Sequence, residues 1–322
     1  MFYAIRHVTR YRYSRPVWQS IMEVRMHPRT DQAQRCFTFQ LSVNPRARIF
    51  SFIDHFGNHV HHFDLPAHHR ALTMVADSLV NLDPPDPLPS ALPFAAWDDL
   101  GRMIEDGDHW PMLMPSHYAR SSPQLEALAR ELGVAERDGR DPLTLIGDVA
   151  DGINAAFEYV KKSTAVNSPI EVSLESRQGV CQDFSHIMTA LVRGIGIPCR
   201  YVSGYIAPRE SHHDRAGDNS THAWIEAFLP RLGWVGFDPT NNVVAGRRQI
   251  AVAIGRDYAD VPPTRGVFKG GAASTLAVTV EVTPGAVLPT LDPAVTEASW
   301  VAEAPAVAAD EAAQTQMQQQ QQ

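Results

Sequence analysis

Over residues 1 to about 85, apolar and polar positions alternate in short runs: YAIRHVTRYRY, SIMEVRMHP, CFTFQLSVNP, RIFSFIDHF and HVHHFDL. A period of two, carried by β-branched and aromatic residues, predicts strands with one buried face. Asn44-Pro45 and Gly57-Asn58 punctuate the runs, and Gly57-Asn58 predicts a hairpin turn. An antiparallel sheet is expected here. The alternation stops in residues 84–95, where PPDPLPSALP is too rich in proline for a helix or an inner strand. This segment reads as a linker.

After a partly apolar stretch around Trp110 the period changes. PQLEALARELGV and PLTLIGDVADGINAAFEYVKK carry helical spacing, and Asp141-Pro142 supplies the second with a cap and a first-turn proline. A third helix is expected from Cys181 to Arg193, with Phe184, Ile187, Met188 and Leu191 three or four residues apart. Gly194, Gly196 and Pro198 end it. RYVSGYIA, THAWIEAFL and WVGFDPT then read as strands, with a polar loop (PRESHHDRAGDNS) after the first and a turn at Gly233 between the last two. STLAVTVEVTP alternates like a final strand. From residue 286 to 322 the chain turns to Ala, Pro, Val and Gln, ending MQQQQQ, a composition expected to stay disordered. The division expected is a β domain at 1–83, a linker at 84–95, a catalytic domain at 96–285 and a tail at 286–322. The fold class is α+β.

At 322 residues, 44% hydrophobic and 20% charged, the chain can bury cores for about two domains. A formal charge of −8 argues against a nucleic-acid partner, which would need a basic stripe. Cys36, Cys181 and Cys199 are too few and too scattered for a disulfide framework or for metal-ligand spacing. The first residues, MFYAIRHVTRYRYSRPVWQS, lack the apolar core of a signal peptide, and no run approaches the roughly 20 apolar residues of a membrane span. A soluble, cytoplasmic protein without a membrane partner is the expectation. Oligomeric state is not legible.

Candidate chemistry centres on Cys181, which follows Gln178-Gly179-Val180 and opens the third helix. Free N–H groups and the positive end of the helix dipole favour the thiolate there, and Gly179 permits a tight backbone turn just before it. A buried, inert thiol is the competing reading. His222 opens one strand and Asp238 closes the next, so a short turn can set them side by side at one sheet end. A helix N-terminus packed across that end would bring Cys181 to His222, giving a nucleophile, a base and a carboxylate that fixes the ring.

The blocks GVCQDFSHIMTALVRGIGIPCRYVSGY and THAWIEAFLPRLGWVGFDPTNN resemble the transglutaminase-like superfamily, over about residues 145 to 245. The β-rich first segment and GRDYADVPPTRGVFKG resemble its bacterial branch, which pairs a papain-like core with an N-terminal β domain. The resemblance implies Cys181, His222 and Asp238 as the catalytic triad. It also implies amide-bond chemistry on peptide or protein substrates through a thioester, ended by water or an amine. The backbone N–H of Cys181 is the natural oxyanion donor. Gln182, Tyr159 and Trp224 are candidate substrate-binding residues. No acidic cluster suggests calcium, so no cofactor and no metal are expected. Hydrolysis is favoured slightly over cross-linking, which must admit an amine and exclude abundant water. The alternative is a catalytically silent peptide-binding module.

Other features carry less. His55, His59, His61, His62, His68 and His69 crowd the N-terminal segment, and His59 and His61 share a strand face. Their spacing fits no common zinc pattern, so a solvated or interface role is favoured. His186 lies on the helix of Cys181 but on another face, and reads as structural. His212-His213 read as a surface loop. Trp234 and Phe237, like Trp224, serve a cleft or a core equally well. Asp257-Tyr258 are expected either to cross near the cleft and order it or simply to pack, with nothing in the sequence to choose between the two.

Overall fold

A computed structural model describes residues 1–107, 109–134, 137, 139–208 and 221–285. The expected tail and the His212-His213 loop lie outside them. The alternating segment forms five antiparallel strands: β1 (Phe2–Val24), β2 (Gln34–Asn44), β3 (Phe50–Ile53), β4 (His59–Leu65) and β5 (His69–Leu82), in the order β2-β5-β1-β4-β3. The runs expected as two strands are one, β1. Its register shifts between Arg12 and Val17, so its first half pairs with β5 and its second with β4. Pro16 sits within that irregularity, where a missing N–H costs no ladder bond. The hairpin turn falls where Gly57-Asn58 placed it: Gly57 N–H donates to Asp54 C=O, and Gly57 has a φ of +78°. Val17, Met22, Val24, Phe63, Leu72 and Met74 build the core of this sheet.

The helices are α1 (Ala96–Glu105), α2 (Pro123–Glu131), α3 (Pro142–Ala156), α4 (Ile170–Ser176) and α5 (Cys181–Gly194). Asp141 caps α3 as its position predicts, accepting from the N–H groups of Leu143 and Thr144. The sequence pattern continues α3 through FEYVKK, but the helix stops at Ala156. Phe157 turns extended to bury its ring beside Phe184, and β6 (Glu158–Tyr159) pairs in parallel with β7 (Gln178–Gly179). α1 and α4 escaped the pattern reading. α4 is only seven residues long, and α1 buries just Ala96, Trp97 and Leu100, too little to stand out against its polar positions.

The second sheet holds β8 (Cys199–Ile206), β9 (Thr221–Leu229), β10 (Gly233–Asp238), β11 (Val243–Val244) and β12 (Gln249–Gly255), in the order β11-β10-β9-β8-β12. Helix α5 packs on β8 and β9, burying Phe184, Ile187, Met188 and Leu191 against Ile225 and Ala227. The spacing that predicted α5 therefore marks its buried stripe.

Two strands depart from the expected division. β13 (Thr264–Lys269) and β14 (Ser274–Pro284) fall within the segment assigned to the catalytic domain, yet both pair with β1. Alternation announces a strand but does not say which sheet takes it, and β1 offers Tyr3–Tyr13 a second free edge. The chain thus starts and finishes its described course in the first sheet.

The two sheets meet along β12, an edge strand of the second. The side-chain amide of Gln34 donates to Ala251 C=O (2.8 Å) and accepts from Ala251 N–H (2.8 Å). Asn58 makes the same two-way contact with Ile254 (2.8 and 2.9 Å). Both amides are buried, so each stands in for a neighbouring peptide and closes an edge that would otherwise leave backbone groups unpaired.

Candidate active site

Three elements converge on the site. Helix α5 begins at Cys181 with Val180 as its extended N-cap. Asp183, in the first turn, accepts from Val180 N–H (2.8 Å) and from the Thr164 hydroxyl (2.6 Å). Those bonds fix the turn that presents the thiol and hold the 160s loop on it. Gln182 donates to Val166 C=O (2.7 Å), tying the same loop down. Gly179 plays a different part from the one expected. Its φ is not positive; a Cβ there would lie 2.6 Å from Ser173 Oγ and 3.0 Å from the Phe184 ring, so glycine is needed for close packing.

His222 and Asp238 come from β9 and β10, but not from directly opposite positions. Gly236 faces Glu226 and Phe237 faces Ile225. Continuing the register puts Asp238 opposite Trp224, so His222 lies diagonally from it on the same sheet face. The side chains close the gap: His222 Nε2 lies 2.7 Å from Asp238 Oδ2, with both side chains fully buried.

Asp238 is held on all sides. Oδ2 also accepts from Asn241 Nδ2 (2.9 Å) and Gln249 Nε2 (3.2 Å), while Oδ1 accepts from the N–H groups of Thr240 (3.1 Å) and Asn241 (3.2 Å). Asn241 Nδ2 also comes within 3.4 Å of His222 Nε2, but both are donors when Nε2–H points at the carboxylate, so the amide serves Asp238. Burial alone would raise this carboxyl; the charge and hydrogen bond of His222 and the Asn241 donors outweigh it and hold the pKa below the ordinary value.

His222 is pulled the opposite way. Burial disfavours its cation, yet Asp238 and then Cys181 more than compensate, raising its pKa to about 10. Nδ1 is buried without a well-aligned hydrogen bond, and Cys181 is the polar group besides Asp238 that acts on the ring. Cys181 itself is partly exposed and free. It packs against a buried cluster of Tyr201, Ala223, Ala253 and Val261.

Of the candidate substrate residues, Tyr159 lies beside Cys181: burial and then the nearby sulfur push its phenol pKa up. The Gln182 amide is engaged by Val166. Trp224 is buried, its ring centroid 6.2 Å from that of His222. It lines a cavity of about 660 Å³ with Trp234, Gln249 and Pro85, and neither Cys181 nor His222 borders that space. Phe237 is core. Asp257 accepts from Tyr118 N–H (2.7 Å) and Ala259 N–H (2.8 Å), which sets Tyr258 against the Cys181 cluster. His186 is fully buried between the rings of Tyr118 and Tyr201. His59 and His61 do share a face, where His27 joins them at ring-centroid distances of 4.0 and 6.1 Å. Among the described residues, no group of three or more His, Cys, Asp or Glu side chains is arranged to hold a metal ion.

Asn241 and Gln249 escaped the sequence reading. Asn241 follows the D-P-T block and could have been noticed there, whereas nothing local marks Gln249, eleven residues beyond Asp238.

Residues 127–239 match the profile of the transglutaminase-like superfamily, and residues 3–81 match the bacterial transglutaminase-like N-terminal region. The chain belongs to the transglutaminase-like superfamily. An uncharacterized protein of Mycobacterium leprae is 32% identical over 278 residues, covering 86% of this chain and 96% of the relative. Another, from Mycobacterium tuberculosis, is 33% identical over 298 residues, covering 88% and 92%. A protein-glutamine gamma-glutamyltransferase of Pseudomonas aeruginosa is 29% identical over 154 residues, which span 45% of this chain but only 22% of that enzyme. In fold, the chain is similar to a crystal structure of a cysteine-protease candidate from Cytophaga hutchinsonii, with a TM-score of 0.66, 24% identity, and coverage of 91% and 94%. Among the described residues no helix is long and apolar enough to cross a membrane.

Proposed function

We propose that this member of the superfamily is a thiol-dependent enzyme acting on amide bonds of peptide or protein substrates, with Cys181, His222 and Asp238 as its catalytic residues. One observation carries the reading. A fully buried histidine holds its charge through a 2.7 Å contact with a buried carboxylate, leaving its other nitrogen for the thiol at the start of α5.

The chemistry follows from that arrangement. Cys181 sulfur, as thiolate, attacks the amide carbonyl carbon, and the C=O electron pair moves to oxygen. The N–H groups of the first helical turn have no acceptor inside the helix, and that of Cys181 lies nearest the developing oxyanion. As the tetrahedral adduct collapses, the His222 imidazolium gives its proton to the departing amine, leaving a thioester. Water or an amine then attacks the thioester with neutral His222 as base, and the sulfur leaves as thiolate. Asp238 keeps the ring oriented throughout. Hydrolysis is the favoured outcome, because Cys181 is partly exposed and water needs no site of its own. A reducing, cytoplasmic setting suits three cysteines that are all free.

The test is intact-mass spectrometry after iodoacetamide at about pH 6, where an ordinary thiol is protonated. Rapid single labelling, lost in Cys181→Ala and slowed in His222→Ala, is expected. Absence of selective labelling at Cys181 would sink the proposal and favour a silent peptide-binding module.

A further inference from the structure

We infer that Gln249 is a positioning residue for Asp238, and that the N-terminal sheet reaches the catalytic acid through it. The inference rests on the thiol-enzyme reading above. Gln249 opens β12, the edge strand farthest in sheet order from β10. The sheet nevertheless curls far enough for Gln249 Nε2 to reach Asp238 Oδ2 at 3.2 Å. Its Oε1 accepts from Gly246 N–H at 3.2 Å, which fixes the amide orientation so that the NH₂ faces the carboxylate. The residue is buried, on the wall of the cavity that Trp224 also lines.

β8 holds one edge of β12, and the N-terminal segment holds the other. Gln34 and Asn58 grip Ala251 and Ile254 through four buried hydrogen bonds of 2.8–2.9 Å, and Arg29 N–H adds a fifth to Ala251 C=O at 3.0 Å. The same strand runs on through Gly255 to Asp257, which accepts from Tyr118 N–H, and to Tyr258, which packs on the same buried cluster as Cys181. One clamped strand thus carries a contact to the acid at its start and, just past its end, a residue that shares the packing cluster of Cys181. A carboxylate that loses one of three donors on the oxygen facing His222 keeps its charge but is freer to turn, and the ring it orients turns with it.

The experiment is alkylation kinetics of the full chain with iodoacetamide, read by intact mass from about pH 5 to about pH 9. It compares wild type, Gln249→Ala and Gln249→Glu. Gln249→Ala is expected to slow Cys181 labelling at the acid end about tenfold, the loss of one charge-assisted hydrogen bond. Gln249→Glu preserves volume but sets a second carboxylate against Asp238. It should be slower than the alanine variant near neutrality, and gain on wild type as the pH falls and the new carboxyl becomes a donor. A residue that merely fills space gives the reverse order, glutamate milder than alanine at every pH, and that result overturns the inference. Three indistinguishable profiles overturn it too, while leaving the thiol-enzyme reading intact. Failure of wild type to label at Cys181 removes both. Should Gln249→Glu not fold, the NMR titration of the His222 ring in Gln249→Ala decides. A midpoint below the wild-type value supports positioning, and an unchanged one overturns it.

Discussion

Two histidines flank the start of α5, both buried, and their surroundings drive them in opposite directions. His186 lies five residues after Cys181, stacked between Tyr118 and Tyr201, and its Nε2 accepts from Tyr258 N–H at 3.2 Å. Burial dominates there, with the nearby Asp257 offset by Arg193 and His117, and the pKa drops to about 3. His222 is as deeply buried, yet Asp238 at 2.7 Å and Cys181 lift it to about 10. Burial by itself silences an imidazole. A carboxylate in direct contact, itself supplied with donors, reverses the effect. The proposed function therefore assigns the base to the histidine with the acid, although His186 is nearer to Cys181 in sequence.

The sharpest way to break this contrast is Asp238→Asn, which keeps the shape and removes the charge. Turnover is expected to fall on the order of 10⁴-fold, and the His222 titration midpoint should fall well below about 10. A histidine that still titrates near its wild-type value would show that burial and Asp238 had been misjudged together.

Stability against pH separates the two rings next. His222 has a folded pKa above its unfolded value, so its contribution is complete below about 6.5 and is lost as the pH rises towards about 10. His186 has a folded pKa below its unfolded value, so it costs stability as the pH falls from about 6.5 towards about 3. Asp238, held low, contributes above the ordinary carboxylate range and loses that contribution as the pH falls through its folded value. Denaturant midpoints across pH should therefore show His222→Ala flattening the alkaline limb and His186→Gln flattening the acid one. The same limb altered by both variants would erase the distinction.

Smaller effects probe the frame around the pair. Asn58→Ala leaves the backbone N–H and C=O of Ile254 without partners, a loss of about 1–3 kcal/mol in chemical denaturation. Gly179→Ala drives a methyl against Ser173 and Phe184, at about 1–3 kcal/mol. Phe52→Ser, on the exposed edge strand β3, should move stability by no more than about 0.5 kcal/mol.

Much of this was legible because its causes are local. The stripe Phe184, Ile187, Met188 and Leu191 predicted α5, and those residues are its buried face. Asp141-Pro142 predicted a cap that forms, and Gly57-Asn58 a turn that closes. Cys181, His222 and Asp238 stood out by block and order, and the structure brings them together. The failures are equally physical. Phe157 ended α3 early because its ring finds Phe184, a residue of another helix. Glycine at position 179 permits a tight turn and so predicts one, whereas the crowding by Ser173 is visible only in three dimensions.

By itself, the sequence determined the long periodic elements, though not α1, α4 or β12, and the chemically able residues, since strand alternation, helix periodicity and capping act between near neighbours. Only the tertiary structure decided that β13 and β14 return to β1, that His222 and Asp238 meet diagonally, and that Gln249 joins them. Pairing partner and sheet curl are set by contacts between distant segments. The charge of a buried histidine depends on which carboxylate those contacts bring within 3 Å.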